Sequence, residues 1–191
     1  MKNKKLVFYK ILLFIVIIFA IIVIALIAKK YIGNQINEEN NAQIVEEIKQ
    51  HAETTEPIKF GNNSVIGIIN IPKIELEYPI LDTTTKENMR TSITRFSGGN
   101  VNEIGNLALA GHNNYDGTMF GRNDELVAGD KIYLTDLQKN TVEYEIKSIF
   151  VTDPNDVSIL ETKEEIREVT LITCENGNKA RLIIKAEEVK K

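Results

Sequence analysis

Cysteine occurs once in the 191 residues, at Cys174, and histidine twice, at His51 and His112. A single cysteine excludes an internal disulfide, so the core must hold without covalent staples and the thiol is kept for another reason. One cysteine and two histidines also exclude a zinc cluster of the usual four-ligand kind, and no metal site is expected. Acidic residues are missing from the first 30 positions, which carry six lysines. The rest of the chain holds 17 basic against 27 acidic residues, a net of −10. A domain this acidic lacks the electrostatic footprint of a nucleic-acid binder, so no nucleic-acid partner is expected. The sequence contains no internal repeat and no low-complexity tract.

Hydrophobic residues make up 43% of the chain, enough for a real core, but they are unevenly spent. Residues 11–28 are eighteen consecutive apolar residues, and the wider run 6–28 is broken only by Tyr9 and Lys10. That length crosses a bilayer as a helix. A secretory signal peptide has a shorter apolar core. Although Ala25-Leu-Ile-Ala28 mimics a cleavage site, Lys29 and Lys30 follow at once, so an uncleaved anchor is expected. Lys2, Lys4, Lys5 and Lys10 outnumber Lys29 and Lys30, which favours a cytoplasmic N-terminus and a globular part outside the cell membrane. The expected organisation is a tail and membrane helix over 1–30, a polar stalk over 31–60 and a globular domain over 61–191. The stalk has Ile44, Val45 and Ile48 at helical spacing and reads as partly helical, ending near Thr54 to Pro57; a disordered spacer is the alternative. On this reading residues 1–59 add no strand, and a chain starting near Phe60 folds by itself.

Beyond the stalk the pattern turns to short strands at 65–71, 76–81, 107–110, 131–135, 142–151, 169–174 and 181–185. Pro72, Gly98-Gly99, Gly129-Asp130 and the turn Asp153-Pro-Asn-Asp156 separate them. Short helices are expected at 86–90 and at 162–166, the latter capped by Thr162 with Glu165 three residues on. Seven or eight short strands with sparse helix predict a mainly β fold, a closed or nearly closed barrel.

Three residues carry candidate chemistry. Cys174 ends the run Val169-Thr-Leu-Ile-Thr-Cys174, in which Thr170, Ile172 and Cys174 share one strand face and Val169, Leu171 and Thr173 the other. The cluster Glu175-Asn-Gly-Asn-Lys179 follows, with Asn176-Gly177 as a reversal signal, and the chain returns through Ala180-Arg-Leu-Ile-Ile. A hairpin whose connection holds an even number of residues puts Cys174 and Arg181 on one face, and six residues put them directly opposite. His112 follows the short apolar strand Leu107-Ala-Leu-Ala-Gly, whereas His51 lies in a polar stretch with nothing apolar to position it. Taken singly, each has an ordinary alternative: a packed thiol, a loop imidazole, a surface arginine. Taken together they form the pattern of a cysteine nucleophile assembled by the fold. A cysteine of ordinary pKa, about 8.5, is mostly protonated at neutral pH and needs cationic company to react. His112 suits acid and base work, and Arg181 suits donation to an oxyanion.

Thr170-Leu-Ile-Thr-Cys174 resembles the Thr-Leu-x-Thr-Cys signature of the sortases, and Ala110-Gly-His112 is similar to that family's histidine motif. The resemblance covers roughly residues 64–187. It implies an eight-stranded β-barrel and a transpeptidase that cuts secreted proteins at a C-terminal Leu-Pro-x-Thr-Gly-like motif, after the threonine. The thioacyl enzyme then passes the protein to an amine of a lipid-linked peptidoglycan precursor on the surface of a Gram-positive-type bacterium. Carried onto matching positions, Cys174 is the nucleophile, His112 the acid and base and Arg181 the stabiliser; Ala110, Ile172 and Thr173 line the substrate groove. No cofactor is implied. Some sortases bind calcium through scattered carboxylates, and the acidic surface leaves such modulation open.

A membrane-anchored cysteine hydrolase with the same triad, and an idle barrel that binds peptide or wall polymer, remain as alternatives. Pilus-polymerising members carry an Asp-Pro-aromatic lid before the barrel and commonly a second membrane helix after it, and neither is found here. The resemblance is therefore closest to class A and class D enzymes, with an open groove walled by the loop 153–167 rather than covered by the stalk.

Overall fold

The computed structural model describes residues 2–50, 58–163, 165–175 and 177–190. Two compact units divide the chain, Met1–Asn40 and Asn41–Lys191. The first is the larger part of helix α1, Lys2–Gln50. Its apolar residues from Val7 to Ile27 are exposed on every side of the helix. Residues 11–28 rise about 27 Å at 1.5 Å per residue, close to the hydrocarbon thickness of a bilayer. By length and composition α1 can cross a membrane.

The second unit is a barrel. Its strands are β1 (Lys59–Phe60), β2 (Asn63–Ile71), β3 (Leu76–Leu81), β4 (Ile93–Ser97), β5 (Gly105–Ala110), β6 (Lys131–Asp136), β7 (Thr141–Thr152), β8 (Arg167–Glu175) and β9 (Ala180–Glu188). They lie in the order β1-β2-β3-β4-β5-β8-β9-β7-β6, and β6 pairs back onto β2, so β2 to β9 close an eight-stranded barrel with β1 as an appendage. Closure removes the unpaired edges an open sheet would expose. Inside it, Ile69, Leu109, Leu134, Tyr144, Leu171 and Ile184 form the core, all at most 1% exposed.

β8 is buried on both faces, with the polar Glu168, Thr170 and Thr173 buried among the apolar Val169, Leu171 and Ile172. Val169 and Leu171 point into the barrel core, whereas Ile172 packs with Ala108, Ile183 and Ile159 on the outer face. β8 runs parallel to β5, with Ala110 beside Ile172, and antiparallel to β9.

Three expectations need correction. Residues 41–50 belong to the barrel's body, not to a stalk. Val45 and Ile48, each 2% exposed, pack with Val65, Ile68 and Leu81. The Asn41 amide donates to the Thr91 carbonyl at 2.8 Å, and Lys49 pairs with Glu77 at 2.8 Å. Burying two such apolar side chains stabilises by about 1.5–3 kcal/mol each, so residues 41–50 dock on the barrel. Lys59 and Phe60 also add a strand. Second, β4 is an extra strand. Arg95 interrupts its short apolar pattern, and only two residues pair it with β3. Third, none of the described residues of 162–166 is helical. Glu165 takes a φ of +62°, which a right-handed helix cannot accommodate. The backbone there is engaged elsewhere: the Lys163 N–H donates to the buried Glu168 carboxylate and the Ile166 carbonyl accepts from Gly105 N–H. A 3₁₀ turn, Ser158–Leu160, forms earlier in the loop instead. The other expected helix is present as α2, Lys86–Thr91, capped by the Thr85 hydroxyl. His51, the stalk end at 54–57, and Asn176 of the reversal lie outside the described residues.

Candidate active site

Cys174 is the penultimate residue of β8 and is half-buried. Across the hairpin it pairs directly with Arg181, and Arg181 pairs in turn with Thr152 of β7. Cys174, Arg181 and Thr152 therefore form one row across three strands at the sheet's end. The Arg181 guanidinium donates through Nη1 to the carbonyls of Ala180 at 2.9 Å and Asn178 at 3.3 Å, which ties its root to the hairpin. Among the described residues, Nε and Nη2 are left for other partners.

His112 reaches the same end of the sheet by a different route. Ala110 and Ile172 lie side by side on the parallel strands β5 and β8, and His112 and Cys174 each stand two residues further on. The ladder continues one residue past β5, with Gly111 N–H donating to the Ile172 carbonyl at 3.2 Å. The Thr173 hydroxyl donates to the Gly111 carbonyl at 2.8 Å, and the Asn113 amide donates to the Cys174 carbonyl at 3.1 Å. The residues on either side of the imidazole are thus fastened to the strand that carries the thiol. Phe120 N–H donates to the His112 carbonyl at 3.0 Å, closing the loop behind it. Gly111 is required here because a Cβ would lie 2.7 Å from the fully buried Phe120 ring.

A groove of about 280 Å³ runs along the outer face of the sheet up to Cys174 and Arg181. Its floor is Ala110, Gly111, Ile172 and Thr173; one wall is Asp153, Pro154, Asp156, Val157, Ile159 and Leu160, and the other is Thr84, Met89 and Phe96. His112 stands at the groove's end rather than in its lining. Asp156 stays ionised in the wall: hydrogen bonds from Ser158, through its hydroxyl and N–H, and from the Thr152 hydroxyl hold its carboxyl below the usual range.

All three expected groove residues, Ala110, Ile172 and Thr173, lie in the floor, and Cys174 and Arg181 close one end. Thr84, Met89, Phe96 and Asn113 were not legible as site residues. The helical spacing around α2 announces the helix, but nothing local says that its Met89 reaches a groove built on β8. Asn113 follows the histidine and carries no signal beyond that.

A family model described as Sortase domain matches residues 69–189. Sortase A of Bacillus anthracis is 36% identical over 116 residues, which are 60% of this chain and 54% of that protein. Sortase A of Listeria monocytogenes is 33% identical over 144 residues, 73% of this chain and 64% of that protein. The matches thus span between about half and two thirds of the relatives' length. Among solved structures, a Clostridium perfringens Sortase D5 transpeptidase superposes with a TM-score of 0.68 at 31% identity, covering 82% of this chain and 99% of that one.

Proposed function

The chain belongs to the sortase family, and we propose that it is a membrane-anchored cysteine transpeptidase that cuts a Leu-Pro-x-Thr-Gly-like sorting peptide after threonine and transfers the acyl part to an amine. The observation that carries this reading is the register that sets Cys174 opposite Arg181 at the end of the groove, with the His112 loop tied to the Cys174 carbonyl through Asn113.

The chemistry follows from the residue types. The Cys174 thiolate adds to the scissile carbonyl carbon. The negative charge that develops on the carbonyl oxygen is met by N–H groups of the Arg181 guanidinium, which stays protonated throughout. As the C–N bond breaks, the His112 imidazolium gives its proton to the departing amine, leaving a thioester on Cys174. An acceptor amine then attacks the thioester, His112 takes its proton, the C–S bond breaks and the thiolate returns. Thiol, imidazole and guanidinium supply every charge and proton that the cycle needs, so no cofactor is expected.

The groove suits an extended peptide, with an apolar floor at Ala110 and Ile172 and apolar side chains in both walls. Substrate proteins bearing the sorting motif and a lipid-linked peptidoglycan precursor as amine donor are the partners we propose. Helix α1 would hold the barrel on the outer side of a Gram-positive-type cell membrane, with its lysine-rich start inside. Membrane-held substrate, acceptor and enzyme meet at a higher effective concentration than free ones.

The test is mass spectrometry of the full chain mixed with a motif-bearing peptide, with and without triglycine as acceptor. The expected result is an acyl adduct on Cys174 and, with triglycine, a ligated product. Cleavage that ignores the added amine would make the protein a hydrolase, and an intact peptide would make it a binding barrel.

A further inference from the structure

Beneath the wall of the groove lies a polar pair that the proposed chemistry does not use. Asn106 on β5 and Thr170 on β8 are 4% and 0% exposed. In the β5–β8 register Ala108 stands beside Thr170 and Asn106 beside Glu168, so Asn106 and Thr170 are diagonal neighbours on the outer face of the sheet. The Thr170 hydroxyl donates to Asn106 Oδ1 at 2.8 Å. The Asn106 Nδ2 donates to the Ile159 carbonyl at 3.0 Å and to the Glu161 carbonyl at 3.2 Å. Those two carbonyls flank Leu160, and Ile159 and Leu160 face the groove.

The direction of these bonds decides what each residue does. A side-chain amide has one acceptor end and one donor end, and a buried amide with a wrong end toward two carbonyls would leave all three oxygens unpaired. The Thr170 hydroxyl occupies the acceptor end, which sets the donor end toward the loop. Thr170 opens the Thr-Leu-Ile-Thr-Cys174 run, yet its hydroxyl is committed to the wall and not to the thiol. Thr173 plays the parallel part toward the histidine, through the Gly111 carbonyl.

We propose that Asn106 and Thr170 are positioning residues for peptide recognition: Thr170 orients the Asn106 amide, and the amide holds the 159–161 wall at the distance from the floor that an extended peptide requires. The proposal rests on the reading of the groove as a peptide site. It extends that reading to residues that touch neither substrate nor thiol, and it separates the two threonines of the motif into one that sets the wall and one that sets the histidine loop.

The test uses the full chain in detergent micelles and three variants: Thr170→Val, which keeps the shape and removes the hydroxyl; Thr170→Ser, which keeps the hydroxyl; and Asn106→Asp, which replaces the donor end. Three readouts are taken on each: KM and kcat for a fluorogenic sorting peptide, the alkylation rate of Cys174 by iodoacetamide, and the rate of proteolytic nicking within residues 153–166. Loss of a buried hydrogen bond of this kind should raise KM about tenfold in Thr170→Val and Asn106→Asp, with kcat changed much less and alkylation at the wild-type rate. Nicking of the loop should speed up in step, and Thr170→Ser should stay near wild type. Unchanged KM and unchanged nicking in Thr170→Val would overturn the proposal, as would a fall in kcat and alkylation with KM unaltered. If wild-type protein cleaves no peptide while the loop still opens in Thr170→Val, the functional reading falls and the wall-positioning role stands. Should Asn106→Asp fail to fold, the near-isosteric Thr170 pair decides the matter alone.

Discussion

Cys174 of β8 and Arg181 of β9 are direct cross-strand partners, with Glu175 and Ala180 paired one step closer to the turn. Directly opposed residues of an antiparallel pair hold their Cβ atoms about 5 Å apart, so the thiol and the guanidinium stem are placed by backbone hydrogen bonds and not by a flexible loop. Side chains built on adjacent strands are held more firmly than a pair gathered from loops, which suits the roles proposed for this thiol and guanidinium.

Removing either member of that pair should therefore be severe. Cys174→Ala is expected to abolish peptide cleavage, and His112→Ala and Arg181→Ala to cost on the order of 100-fold or more in kcat/KM. Arg181→Lys should also be poor, since a point charge does not reproduce the guanidinium fork. Steady-state kinetics on a fluorogenic sorting peptide checks each, and near-normal turnover in a single variant would remove that residue from its role.

Asn113 bridges the histidine loop to the Cys174 carbonyl. Asn113→Ala should lower kcat by roughly threefold to tenfold, the worth of one hydrogen bond in positioning, with peptide KM near wild type because Asn113 is outside the groove lining. A change confined to KM would place Asn113 in peptide binding instead.

The docked end of helix α1 sets where the barrel can be cut. A chain starting at Asn41 should keep Val45 and Ile48 over Val65, Ile68 and Leu81 and melt as one unit. One starting at Phe60 should lose on the order of 3 kcal/mol or more and expose an apolar patch prone to association. Thermal melts and size-exclusion chromatography of the two would decide it; equal melting temperatures would return residues 41–50 to the status of a spacer.

Acid stability has a local signature at Glu145. Hydrogen bonds from Lys131, then from Lys147, hold its carboxyl down to about 2. A carboxyl whose pKa is lower in the folded than in the unfolded state contributes stability above the unfolded value, about 4.3, and loses it as the pH falls toward the folded one. Glu145→Gln should thus melt slightly below wild type at pH 7, by the small amount an exposed pair allows, and the two should converge between about pH 4 and pH 2. A gap that persists at pH 2 would assign the difference to packing rather than charge.

Much of this molecule is written locally. The eighteen apolar residues 11–28, the short apolar-rich runs of β2, β3 and β5 to β9, and the reversal between Cys174 and Arg181 depend on neighbours within about ten positions, and local pattern reports them. The six residues between the thiol and the arginine fit a direct cross-strand pairing, and the hairpin adopts that register.

Other features were settled only by distant segments meeting. β5 lies parallel to β8, and a parallel pair needs a crossover of intervening chain. From the residues alone nothing fixed where His112 would lie relative to Cys174; the motif resemblance supplied that link, and the β5–β8 ladder brings the two segments to the same end of the sheet. Ile44, Val45 and Ile48 announced a helical face without saying what would cover it, and the barrel's Val65, Ile68 and Leu81 do. The 162–166 segment carries a helix-start pattern worth about 1 kcal/mol, but Glu168 and Gly105 engage its backbone groups instead. Asn106 reads as a polar residue at the start of an apolar strand. Only with β8 beside it and the 159–161 loop above it does its amide find its three partners. Local sequence carries dihedral preference and facing; long-range burial and the need to pair every buried polar group decide which faces meet.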